Sequence, residues 1–115
     1  MSKAEIEPKL AGIMSEIAEV EGIIAFDPKG NIISGQTIGG DDVKKIAKAA
    51  SDMLPRLTLL GSSIKKGTPR ELTIGLSKGY AFIAFGTKYS ILCFVGQDAK
   101  TQLGLISRQV KSIVK

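Results

Sequence analysis

Apolar side chains at Ile6, Leu10, Ile13, Met14, Ile17 and Val20 recur at spacings of three and four, which is one face of a helix. Pro8 lacks a backbone donor, so the pattern predicts that the regular helix opens there. A capping box from Ser2 to Glu5 would instead leave Pro8 inside. Gly22 is expected to end the helix. Ile23 to Phe26 and Ile32-Ile33 then flank the turn Asp27-Pro28-Lys29-Gly30-Asn31, which reads as a hairpin. Residues 35–40 hold three glycines and read as a loop, with Asp41 as the N-cap of a second helix from about Asp42 to Leu60. At 100° per residue Val43, Ala47, Ala50, Leu54 and Leu57 form its buried stripe. Ile46, Ala49, Met53 and Leu60 widen the stripe to one side, and Lys45, Lys48, Asp52, Arg56 and Leu59 fall opposite. Pro55 predicts a kink or an end of the helix, and a kink would turn Leu59 inward.

Gly61 to Pro69 reads as a polar loop. Leu72, Ile74 and Leu76 then alternate with Glu71, Thr73 and Gly75, whereas Tyr80 to Phe85 and Ile91 to Val95 are apolar throughout. Apolar runs of this kind belong to a sheet covered on both faces, and the short turns at 77–79 and 86–88 suit antiparallel hairpins. Asp98 is expected to cap a last helix that buries Leu103, Ile106, Val110 and Ile113, with Gly104 allowing close approach to the sheet. The order is helix, strand, strand, helix, three strands, helix. Residues 1–115 therefore read as a single α/β domain of the α+β type, the middle helix on one face of the sheet and the terminal helices on the other.

Composition narrows the chemistry. Among 115 residues there is no histidine and one cysteine, which excludes Ser-His-Asp and Cys-His catalysis, an intrachain disulfide and multi-cysteine zinc sites. No P-loop pattern is present, so neither a cofactor nor a metal is expected. No apolar run is long enough for a membrane span, and the charged N-terminus has no signal-peptide core, which points to the cytoplasm. The excess is positive charge, +5 with an isoelectric point near 9.4. That invites a nucleic-acid reading.

One segment fits that reading. Lys78-Gly79-Tyr80-Ala81-Phe82-Ile83-Ala84-Phe85 matches the RNP1 octamer, whose aromatics stack on bases from an open sheet. An RNA-binding domain using residues 78–85 and a basic surface is therefore an alternative function. The element order argues against it, because here the octamer is followed by a strand and then a terminal helix, and no RNP2-like segment precedes it. With helices on both faces, Tyr80, Phe82 and Phe85 are expected in the core.

Two further stretches carry a family resemblance. Ile17-Ala18-Glu19-Val20-Glu21-Gly22-Ile23-Ile24-Ala25-Phe26-Asp27 with Gly30-Asn31-Ile32-Ile33-Ser34, and Ala99-Lys100-Thr101-Gln102-Leu103-Gly104-Leu105-Ile106-Ser107-Arg108, resemble the Roadblock/LC7 family over essentially the whole chain. The resemblance implies a five-stranded antiparallel sheet and a cytoplasmic module that forms homodimers or pairs with a related Roadblock chain. Such modules scaffold or regulate small Ras-like GTPases, and some are dynein light chains. A structural dimer within a larger assembly is a second alternative. In the family the third strand pairs with its twin, which implies a seam at Glu71, Leu72, Thr73, Ile74, Gly75 and Leu76. Such an edge, without proline and with one charge, is prone to strand addition. Ala49, Met53 and Leu60 would extend the interface, and Lys45, Lys48, Asp52, Arg56 and Leu59 would meet the GTPase.

No enzyme activity or small-molecule substrate is expected. Arg56, Arg70 and Arg108 have nothing local to mark them as arginine fingers. Asp41-Asp42 suits a helix N-terminus better than a metal, and Cys93 reads as a small buried residue.

Overall fold

A computed structural model describes residues 3–114. Its elements are α1 (Lys3–Glu16), β1 (Val20–Phe26), β2 (Ile32–Thr37), α2 (Val43–Ser63), β3 (Glu71–Leu76), β4 (Gly79–Ala84), β5 (Ser90–Gly96), a 3-10 turn (Gln97–Gln102) and α3 (Leu103–Val114). All pairings are antiparallel, in the order β2-β1-β5-β4-β3. The helix-strand order, the five strands and the placement of helices agree with the sequence reading. The side chains of Ile23, Ala25, Phe82, Ile91, Cys93 and Val95 pack against Ile6, Leu10, Ile13, Ile106, Val110 and Ile113 of α1 and α3. On the other face Ile24, Phe26, Ile83 and Leu92 meet Ala47 and Ala50 of α2.

Several boundaries differ, each for a local reason. Pro8 lies inside α1. Ile6 and Leu10 on either side are fully buried and hold the helix, while Pro8 and Ala4, whose carbonyl Pro8 cannot serve, are exposed. Ser2 lies outside the described residues. α1 stops at Glu16, not Gly22: the β-branched Val20, Ile23 and Ile24 enter β1, and the helical spacing of Ile17 and Val20 continues by coincidence. β2 runs on to Thr37 through the expected loop. Asp42, not Asp41, is the N-cap, its carboxylate accepting from the Lys45 N–H at 3.2 Å.

α2 neither breaks nor ends at Pro55 and continues to Ser63. The N–H groups of Ile64, Lys65 and Lys66 close it onto the carbonyls of Leu60, Ser62 and Gly61, with Lys65 in the left-handed region at φ 60°. Asp98 caps nothing. The chain turns first through the 3-10 segment behind Gly96. Gly104 is exposed, and an added methyl would meet nothing within 4 Å, so it does not serve close approach. The expected buried face of α3 is correct, with Leu103 half-buried.

Candidate interaction surface

The two sheet edges differ. β2 is held between α1 and α2. β3 has no such cover: α3 lies over β4 and β5 and meets β3 at Glu71. Lys111 Nζ donates to Glu71 Oε1 at 3.3 Å, and Ser107 Oγ to Glu71 Oε2 at 3.4 Å. The first expected seam residue is thus tied to its own α3. Thr73 and Gly75 are exposed, Leu72 and Ile74 are half-buried, and Leu76 is 60% exposed at the end of the strand.

α2 lies over β1 and β2 and leaves the β3 side of its face partly open, contrary to the expectation of a sheet covered throughout. A groove of about 360 Å³ follows, floored by Ala81, Leu92 and Phe94 and walled by Ile46 of α2 and Leu76 of β3. Helical spacing puts Ala49, Met53, Leu57 and Leu60 on the same flank of α2 as Ile46. Of the three expected there, Ala49 is exposed, Met53 is half-buried against the protomer's own core and Leu60 is 56% exposed. Ile64, just past the helix, is also 56% exposed. The exposed and half-buried apolar side chains therefore form a band from the α2 flank across the groove to the free edge of β3.

The strand β3 and the flank positions Ala49, Met53 and Leu60 follow from the sequence pattern, whereas the open floor of the groove does not. Apolar character at Ala81, Leu92 and Phe94 looks the same whether a helix of the same chain covers it or not. A signal existed at Gly22, which sits opposite Phe94 in the β1–β5 ladder. A methyl there would lie 2.3 Å from the Phe94 ring, so the glycine makes room for an aromatic on the groove floor.

The outer face of α2 is as expected: Lys45, Lys48, Asp52, Arg56 and Leu59 are all exposed. Lys48 pairs with Asp52 at 3.3 Å, a solvated i,i+4 pair of small energetic weight. Leu59 is 66% exposed, so Pro55 does not turn it inward.

The RNA-stacking arrangement is not formed. Phe82 is buried and Tyr80 half-buried against the α1/α3 cluster, while Phe85 packs on the opposite face with the α2 cluster. Arg56 on α2, Arg70 before β3 and Arg108 on α3 are all exposed. Cys93 is buried, which pushes its thiol up to about 12. Asp27 is held below the usual carboxylate range chiefly by the Asn31 N–H, with help from the Asn31 side chain and the Lys29 N–H. It organises the β1–β2 turn. Among the described residues no group of three or more His, Cys, Asp or Glu could hold a metal ion, and no helix is long and apolar enough to cross a membrane.

Comparison with known proteins places this geometry. Proteins of curated function give no match. Among solved structures, one described as MglB with a tetrameric arrangement superposes with a TM-score of 0.83 at 9% identity, covering 97% of this chain and 86% of that one. MglB of Myxococcus xanthus gives 0.76 at 14% identity over 90% and 87%. A Roadblock/LC7 domain from Streptomyces avermitilis gives 0.75 at 17% identity over 91% of each chain. At these identities the likeness is one of fold. The family profile of the Roadblock/LC7 domain matches residues 12–95, well over half of the sequence, and the chain therefore belongs to the Roadblock/LC7 family.

Proposed function

We propose that the chain is a cytoplasmic, dimeric binding module that holds and regulates a small Ras-like GTPase without a catalytic group of its own. The observation that carries the dimer is the apolar groove beside α2, open on the side where β3 has no strand partner. A second copy related by a two-fold axis would satisfy both features at once. Its β3 would pair with this β3 along Glu71–Leu76, and its α2 would lie in the groove against Ile46, Met53 and Leu60. Burial would remove the half-exposed Leu60 and Leu76 from water, each contributing about 1 kcal/mol by apolar area. The paired α2 helices would then present Lys45, Lys48, Asp52, Arg56 and Leu59 as one outer surface for the GTPase. Regulation by such a surface needs only differential contact with the GTPase switch segments.

The test is Ile74→Lys. Ile74 is half-buried and faces the groove side of β3, so lysine can reach solvent in a monomer but not in a paired edge. Light scattering should give a dimer for the wild-type chain and a folded monomer for the variant. A wild-type monomer at high concentration, or an unchanged variant dimer, would defeat the proposed seam. A small Ras-like GTPase from the same genome should bind the dimer and change its rate of GTP turnover.

A further inference from the structure

The net charge is not spread over the molecule. Residues 43–70, α2 and the loop after it, hold seven of the 16 cations and one of the 11 anions, a local charge of +6; the rest of the chain nets −1. All seven cations are exposed, and among the described residues only Lys48 has an ion-pair partner there, Asp52. From residue 53 to residue 70 there is no carboxylate at all. The charged stretch follows a helix of 21 residues, about 31 Å long.

One large apolar side chain stands on the outward side of this field. Leu59 is 66% exposed, and Ser62 Oγ and Ser63 Oγ fold back to donate to the Leu59 carbonyl at 3.0 and 2.7 Å. Arg56 lies one turn before it, and Lys65 and Lys66 follow the helix. Lys65 keeps a cation at a left-handed position that glycine would occupy without strain.

We infer that the partner surface docking on α2 is acidic, drawn in by the +6 field, and that it holds an apolar recess for Leu59. This rests on the GTPase reading and names the chemistry of that partner's contact face. Long-range charge governs how fast partners meet, whereas a desolvated apolar anchor governs how slowly they part. The two parts therefore separate kinetically. A protein surface suits the pattern better than single-stranded nucleic acid, because residues 43–70 contain no aromatic side chain on which a base could stack, and the outward Leu59 has no use against a phosphate backbone. It suits it better than a lipid surface, because a carboxylate, Asp52, stands in the middle of the outer stripe.

The experiment is surface resonance with a small Ras-like GTPase of the same genome, loaded with a non-hydrolysable GTP analogue, from about 50 to about 500 mM NaCl. For the wild-type chain the association rate should fall about tenfold or more across that range, with little change in dissociation. The triple variant Lys45→Glu, Lys65→Glu, Lys66→Glu should associate about tenfold more slowly at low salt and lose most of the salt dependence. Leu59→Ala should keep the salt dependence and dissociate about tenfold faster. All four positions are exposed, and circular dichroism should confirm that each variant is folded. A salt-insensitive association rate that the triple variant shares overturns the acidic-partner inference and leaves GTPase binding standing. An unchanged dissociation rate for Leu59→Ala overturns the anchor. No GTPase binding by the folded wild-type chain overturns both the inference and the reading beneath it. Sedimentation of that chain with phosphatidylserine-rich vesicles would then assign the basic face to a membrane instead.

Discussion

Gly22→Ala should cost more than its one carbon suggests. The added methyl would lie 2.3 Å from Cε1 and Cζ of Phe94, against about 3.5–4.0 Å for carbon atoms in contact. The strand positions are fixed by ladder pairing on both sides of β1, so the ring must move, by more than 1 Å on the order of that overlap. Phe94 is half-buried and borders the open groove, which gives the ring somewhere to go. The expected loss is therefore at the lower end of the overpacking range, about 1–2 kcal/mol. That corresponds to a fall in melting temperature of about 4–8 °C for a domain of this size. The displaced ring would also fill part of the groove proposed to receive the second copy, so dimer affinity should fall with stability. Melting followed by circular dichroism over a range of protein concentrations separates the two, because only the loss of dimer affinity changes with concentration. The decisive comparison is Gly22→Ala in a Phe94→Ala background, where the methyl has room and should cost about 0.5 kcal/mol or less. Equal cost in both backgrounds would mean that Gly22 is required for its backbone and not for the ring, and would refute the steric account.

Other expectations follow from single contacts. Cys93 titrates near 12 when folded and near its ordinary 9 when unfolded, so above pH 9 only the unfolded chain loses the proton. Its contribution is whole below pH 9 and is lost at about 1.4 kcal/mol per pH unit up to about 12. The stability gap between the wild-type chain and Cys93→Ala, measured by urea unfolding, should therefore narrow from pH 8 to pH 10.5, and a constant gap would contradict the burial. Tyr89 donates its hydroxyl to the Ile113 carbonyl at 2.7 Å. Tyr89→Phe should cost about 1 kcal/mol and speed amide exchange in the last turn of α3, whereas unchanged exchange there would show that the contact does not hold the turn. Lys65→Gly relieves the φ of 60° and should raise stability by about 0.5–1 kcal/mol; a lower melting temperature would contradict strain at that position.

The order of elements and the placement of the helices on the two faces were legible in the sequence, because they depend on periodicity and turn chemistry within a short window; the family was legible through the resemblance of residues 17–34 and 99–108. The buried face of α3 and the outward face of α2 were legible because a helix that packs on one side must repeat its apolar residues every three or four positions. Helix ends were not legible where two periodicities coincide. Ile17 and Val20 fit the helix they follow, yet Val20 starts a strand, and only pairing with β2 and β5 decides where the helix stops. Pro8 reads as a helix start, but burial of Ile6 and Leu10 on either side carries α1 past it; Pro55 reads as a kink or an end, yet α2 continues through it with only half-buried Leu54 and Leu57 beside it.

The candidate surface lies mostly on the illegible side. Whether Phe94, Ala81 and Leu92 lie under a helix of their own chain depends on where α2 crosses the sheet, a matter of packing between segments far apart in sequence. The charge shows the same division. A total of +5 could be counted at once, but that count names no face. The concentration of that charge in residues 43–70 is already visible along the chain, but only the fold shows that all seven cations there lie exposed outside the core.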